Sequence, residues 1–196
     1  MNRENLKKKL SSLALSMFRK DFFGIYHGSI SAKTESNRFI INTKETVFDT
    51  IQEDNLIELF YKIDYRWNQA SIDSKIHYSI YSQISEAKFI CFTMPPYTTA
   101  YSLDHNIISP KDYFGDQELG SIEIVDPKKF DDWYDRAQSE IAYYFQTKKT
   151  NIMVIRGYCV YSFNRDIHEM AKRLAILERS CRLLMLHTTN SDFDFD

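Results

Sequence analysis

Apolar residues recur every three or four positions from Glu4 to about Lys20, where Leu6, Leu10, Leu13 and Met17 share one side of a predicted amphipathic helix. The period then shortens to two. Gly24 to Ala32 alternates and Arg38 to Asn42 is a short apolar run, which predicts adjacent antiparallel strands joined through the polar residues 33–37. Residues 53–60 predict a short helix, Leu59 to Asp64 a strand, and Asp73 to Ser85 a helix with Ile76, Ile80 and Ile84 on one face. Lys88 to Thr93 reads as a buried strand stopped by Pro95 and Pro96, which cannot extend a ladder; a helix from Tyr97 to about Leu103 is expected next. A strand over Gly120 to Val125, a helix over roughly Asp131 to Gln146 and a buried strand over Asn151 to Ile155 follow, with Gly157 to Phe163 as a hairpin partner. The last helix runs from Asp166 to about His187 with Met170, Leu174, Leu177, Cys181 and Leu184 on one stripe. Helices alternating with strands that pair as hairpins predict an α/β fold: a central mixed, largely antiparallel sheet covered by helices. No repeat or linker interrupts the pattern. Residues 1–187 are expected to form one domain, with 188–196 a polar, acidic tail that frays.

Composition narrows the function classes. A chain of 196 residues can bury its own core without a metal or disulfides. A formal charge of −2 provides no global field for nucleic acid or an anionic membrane, and the cluster Lys7-Lys8-Lys9 is short enough to be a solvated helix face. No run approaches a membrane span, and the first twenty residues lack a signal-peptide core, so the expected location is cytoplasmic. Cys91, Cys159 and Cys181 are an odd set without metal-type spacing, which predicts buried free thiols. His27, His77, His105, His168 and His187 are scattered, with no pair at ligand spacing, so neither a metal nor another cofactor is expected. The 14 Phe and 13 Tyr supply large anchors for a core or an interface.

Several segments, in order, resemble the class II aldolase/adducin family, specifically its fuculose-phosphate-aldolase-like members. Gly28-Ser29-Ile30-Ser31 is similar to the family's Gly-Asn-Ile-Ser turn. Ser71-Ile72-Asp73, with His77, Ile80 and Tyr81 after it, resembles the family's Ser-Ser-Glu-x-x-x-His-x-x-Ile-Tyr stretch. Phe92-Thr93-Met94-Pro95-Pro96-Tyr97 resembles its His-Thr-His-x-Pro-Tyr, Ile155-Arg156-Gly157 falls where a third histidine precedes glycine, and Leu177-Glu178 matches its closing helix. The likeness covers roughly residues 6–186. It implies a homo-oligomer, a tetramer by preference, whose active site a neighbour completes. It also implies Asp73 in the place of the catalytic acid/base, and Gly28, Ser29, Ser31 and Ser71 as anion-binding positions for a small phosphate or carboxylate.

The departures weigh against the family's chemistry. Phe92, Met94 and Arg156 stand where the family has the three imidazoles that hold a zinc-type ion, and none suits a hard dication. The main expectation is therefore a non-catalytic or repurposed binding or assembly protein, a pseudoenzyme of the family. The alternative is a lyase that still cleaves or isomerises a small sugar phosphate, and a third reading is an anion sensor using Arg156, Ser29, Ser31 and Ser71. Asp73 is equally read as the N-cap of its helix, while Phe92 and Met94 also suit a core and Arg156 a surface. One geometric expectation is sharp: if Arg156 replaces the metal's charge, it forms a direct, at least half-buried ion pair with Asp73, and Phe92 and Met94 pack around it.

Overall fold

The computed structural model describes residues 3–191. Eight strands form one sheet in the order β3-β2-β1-β4-β8-β7-β6-β5. β1 (Ser29–Glu35) and β2 (Arg38–Asn42) are the hairpin read from the sequence, and β3 (Leu56–Phe60) adds antiparallel to β2. On its other edge β1 meets β4 (Phe89–Thr93), which in turn pairs with β8 (Cys159–Asn164), both antiparallel. β7 (Ile152–Ile155) forms a hairpin with β8. β6 (Ile122–Val125) runs parallel to β7, and β5 (Ile107–Ile108) closes the edge. The mixed, largely antiparallel sheet is as expected.

Alternation along the strands separates two cores. In β1, Ile30 and Ala32 face one layer, with Leu6, Leu10 and Ala14 of α1 (Arg3–Phe18) and Met170, Leu174 and Leu177 of α6 (Ile167–Ser191). In β2, β4 and β8, Phe39, Ile41, Ile90, Phe92, Tyr161 and Phe163 face the other layer. There they meet Ile76 and Ile80 of α2 (Ser74–Gln83) and Trp133, Ala137 and Ile141 of α5 (Trp133–Lys148). α3 (Pro96–Asp104) and α4 (Tyr113–Glu118) complete the first layer by packing against α6. The result is a helix–sheet–helix sandwich with both sheet faces covered.

The differences from the sequence pattern are local. Residues 24–28 form a bend rather than the start of β1. The expected helix over 53–60 is a single 3-10 turn, Glu53–Asn55, and the strand begins at Leu56, earlier than the alternation suggested. Glu53 and Asp54 suit a turn, whereas Leu56 and Leu59 are buried against neighbouring strands. β5 and α4 were not anticipated; α4 is capped by Asp112, whose Oδ1 accepts from the Gly115 amide at 3.0 Å. α6 continues past the expected end at His187 to Ser191. Of the acidic tail, residues 192–196 lie outside the described residues. All three cysteines are buried and none is in a disulfide.

Candidate functional site

The bend at residues 26–28, the turn before α2, the end of β4, the start of α5 and the β7–β8 turn surround a cavity of about 430 Å³. Gly28 is required at its edge. Its φ is +140°, and a Cβ there would sit 2.3 Å from the Phe23 ring, which stacks on Phe48. Rings supply most of the wall: Phe92, Phe130, Trp133, Tyr134 and Tyr158, with Met94 beside them. Phe92 lies 5.5 Å from Tyr158 and 5.2 Å from Tyr161, centroid to centroid, and the Phe130 and Trp133 rings stand edge-on to Tyr158. The Tyr134 and Tyr158 hydroxyls meet at 3.0 Å. The indole N–H of Trp133 is buried with no hydrogen-bond partner.

Asp73 forms the floor. It is 2 % exposed and precedes α2, yet its side chain makes no capping bond. Instead the Tyr161 hydroxyl donates to Oδ1 at 3.0 Å, and the Ser29 hydroxyl lies close enough to favour the ionised carboxylate. Burial lifts the Asp73 pKa to about 6 against the opposing pull of these two donors. Behind it runs a file of single-hydrogen groups. Ser29 Oγ lies 2.9 Å from His77 Nε2, His77 Nδ1 lies 2.6 Å from Ser31 Oγ, Ser31 Oγ lies 2.7 Å from the Tyr81 hydroxyl, and Tyr81 reaches the Lys88 carbonyl at 3.4 Å. His77 is fully buried and desolvation pushes its pKa down to about 3, so the imidazole is neutral at pH 7. With Asp73 ionised, the hydrogens resolve in one direction: Ser29 to Asp73, His77 Nε2–H to Ser29, Ser31 to Nδ1, Tyr81 to Ser31.

Of the positions singled out in the sequence, Asp73, Phe92, Met94 and Gly28 meet in this cavity. Ser29 and Ser31 lie beneath it, fully buried, with their hydroxyls engaged by His77. Ser71 Oγ accepts from the Asp73 amide at 3.3 Å and organises the turn into α2. Arg156 is elsewhere, and the expected Asp73–Arg156 ion pair does not form. Its guanidinium donates to the carbonyls of Ser102, Leu103 and His105 at 2.8–3.1 Å and to Asn106 Oδ1 at 2.6 Å, closing the C-terminal end of α3. The physical reason is that α3 ends with bare carbonyls and a negative dipole end, a strong site for a cation. Asp73 is served by neutral hydroxyls instead. The tyrosines at 134, 158 and 161 were missed; position 161 alternates with Phe163 and Cys159 on a buried strand, so its hydroxyl needed an inward partner.

The donor set does not fit the zinc-type ion that the resemblance implied. Phe92 offers no donor atom, Met94 a thioether, and Arg156 is bound to α3; among the described residues no three His, Cys, Asp or Glu side chains converge.

Residues 8–185 match the family described as the Class II Aldolase and Adducin N-terminal domain. No curated protein matches the chain. Among solved structures, L-fuculose-1-phosphate aldolase from Thermus thermophilus superposes with a TM-score of 0.84 at 18 % identity, covering 97 % of this chain and 99 % of that one. An aldolase II superfamily protein from Pseudomonas syringae gives 0.77 at 15 % identity over 95 % of this chain and 76 % of that one. A sugar-phosphate aldolase from Thermotoga maritima gives 0.71 at 13 % identity over 94 % and 95 %.

Proposed function

The chain belongs to the class II aldolase and adducin family, and on that premise we propose that it is a binding member that keeps the family's cavity for a small organic ligand without metal-dependent carbonyl chemistry. The observation that carries this reading is the wall. Phe92 and Met94, on two of the metal-ligand positions of the resemblance, face the cavity with apolar atoms, and the third position, Arg156, is committed to α3. A Lewis acid supplies the largest share of enediolate stabilisation in such lyases, and these side chains cannot hold one. What the cavity retains is one buried carboxyl and two joined tyrosine hydroxyls within an aromatic enclosure, a composition typical of ligand pockets.

A second reading has one observation in its favour. A carboxyl lifted to about 6 is suited to proton transfer near neutral pH, so Asp73 could serve a lyase as its acid/base. Elemental analysis of the purified protein, beside aldol-cleavage assays on several sugar phosphates with added zinc, separates the two. The binding reading expects substoichiometric zinc and no turnover; stoichiometric zinc with turnover would overturn it. We further read the protein as a cytoplasmic homo-oligomer, a tetramer by preference. This is supported by the family and by exposed apolar residues around the cavity mouth, Tyr26, Ile72 and Phe130, each more than half exposed. Among the described residues no helix is long and apolar enough to cross a membrane.

A further inference from the structure

A ligand must answer the charge and the surface that the cavity presents. The lining holds one carboxylate, one imidazole (His27) and, among the described residues, neither lysine nor arginine. Asp73 has only neutral hydroxyl partners, so in its ionised form it is a buried anion with no counter-ion. The N-terminal field of α2 would draw an anion, but Asp73 itself already occupies it; that of α5 is met by Asp132 and by Asp135 in its first turn. A phosphate or carboxylate entering here would face an acidic floor with no cation to receive it. Aromatic faces, by contrast, carry negative quadrupole charge and attract a desolvated cation.

We propose that the cavity binds a small organic ammonium ion, its nitrogen on the Asp73 carboxylate and its carbon skeleton among the rings of Phe92, Phe130, Trp133 and Tyr158. The inference rests on reading the cavity as a ligand site, and it replaces an anionic occupant with a cationic one. It accounts for a wall that is aromatic rather than aliphatic around a carboxylate that no arginine or lysine of the lining neutralises. The cavity volume also leaves room for a skeleton of phenethyl size.

Calorimetric titration of the full-length protein at pH 7.5 with three probes tests this: phenethylammonium, the neutral isostere 2-phenylethanol, and phenyl phosphate. Phenethylammonium is expected to bind about tenfold or more tighter than the alcohol, and phenyl phosphate not to bind. Asp73→Asn should abolish that preference while leaving the alcohol's affinity within about threefold. Below pH 6 the wild-type protein should lose ammonium affinity as Asp73 takes up its proton. Equal or tighter binding of the alcohol or of phenyl phosphate overturns the ammonium assignment while leaving the ligand-site reading intact; silence from all three probes overturns both. Phe130→Leu, at a wall position 52 % exposed, serves if Asp73→Asn does not fold. It should weaken phenethylammonium several-fold, and unchanged affinity would count against the aromatic enclosure.

Discussion

Two residues in contact with the same serine titrate against each other. Asp73 has a folded-state pKa near 6, above its ordinary 3.8, so between those values the native state holds a proton that the unfolded chain has lost. Stability from this group is full below pH 4 and declines as the pH rises through 6, by about 3 kcal/mol in all. His77 has a folded value near 3, below its ordinary 6.5, so the unfolded chain takes up the proton first, and its contribution is lost as the pH falls through the same window. The slopes oppose one another, and the wild-type protein should show a nearly flat stability profile between pH 4 and 6. Chemical denaturation should show Asp73→Asn losing stability steeply on acidification; a flat profile in that variant would contradict the paired titration. The hydrogen-bond file gives a sharper readout. When Asp73 is protonated, Ser29 can turn its hydrogen on His77 Nε2, and the file reverses through Nδ1–H, Ser31 and Tyr81 to end on the Lys88 carbonyl. Nitrogen NMR of His77 should therefore report the Nε2–H tautomer at pH 7.5 and the Nδ1–H tautomer near pH 5. One tautomer throughout would mean the file does not reverse. Sequence alone marked Asp73, because it stands with His77 in a recognisable stretch. It could not assign Arg156, since the competition between a buried carboxylate and a helix end is decided only by which lies within reach of the guanidinium.

At the scale of elements, α3 is gripped at both ends by charges of the sign its dipole requires. The Glu178 carboxylate of α6 accepts from the Tyr97 and Thr98 amides and the Thr98 hydroxyl, all at 2.8 Å, while Arg156 holds the opposite end. Gly157, with φ +61°, brings the β7–β8 turn close enough for its amide to donate to Ser102 Oγ. Arg156→Ala strands three carbonyls and should cost on the order of 2 kcal/mol in denaturant titrations, with lysine restoring only part of it. Probe binding in the cavity should be unchanged by that variant; a loss comparable to that of Asp73→Asn would return Arg156 to the site. The same geometry predicts how a metal centre could be rebuilt. Phe92→His with Met94→His places two imidazoles in the cavity beside His27 and should raise zinc affinity, seen as thermal stabilisation on adding zinc. Adding Arg156→His should give no further gain, because that position serves α3. Long periodic elements such as α1, α2, α5 and α6 were legible from spacing. β5, two residues long, and α4, six residues long, were not, since neither is long enough to complete a period.

For the whole molecule, oligomeric state is the open quantity with a direct measurement. Light scattering at micromolar concentration is expected to give a multiple of the 23.2 kDa chain mass, and a monomer mass across that range would refute the tetramer. Assembly would also cover part of the exposed rim at Tyr26, Ile72 and Phe130.

The order of the strands carries a consequence for how the chain is made. The middle of the sheet, β1-β4-β8, is stitched from segments some 60 and 70 residues apart, each antiparallel to the next. Until β8 has left the ribosome, β4 presents five consecutive buried-type residues, Phe89–Thr93, along an unpaired edge. Nascent chains that stop short of residue 159 should therefore self-associate or recruit holdase chaperones, and the central seam should close late and slowly, as pairings between distant segments do.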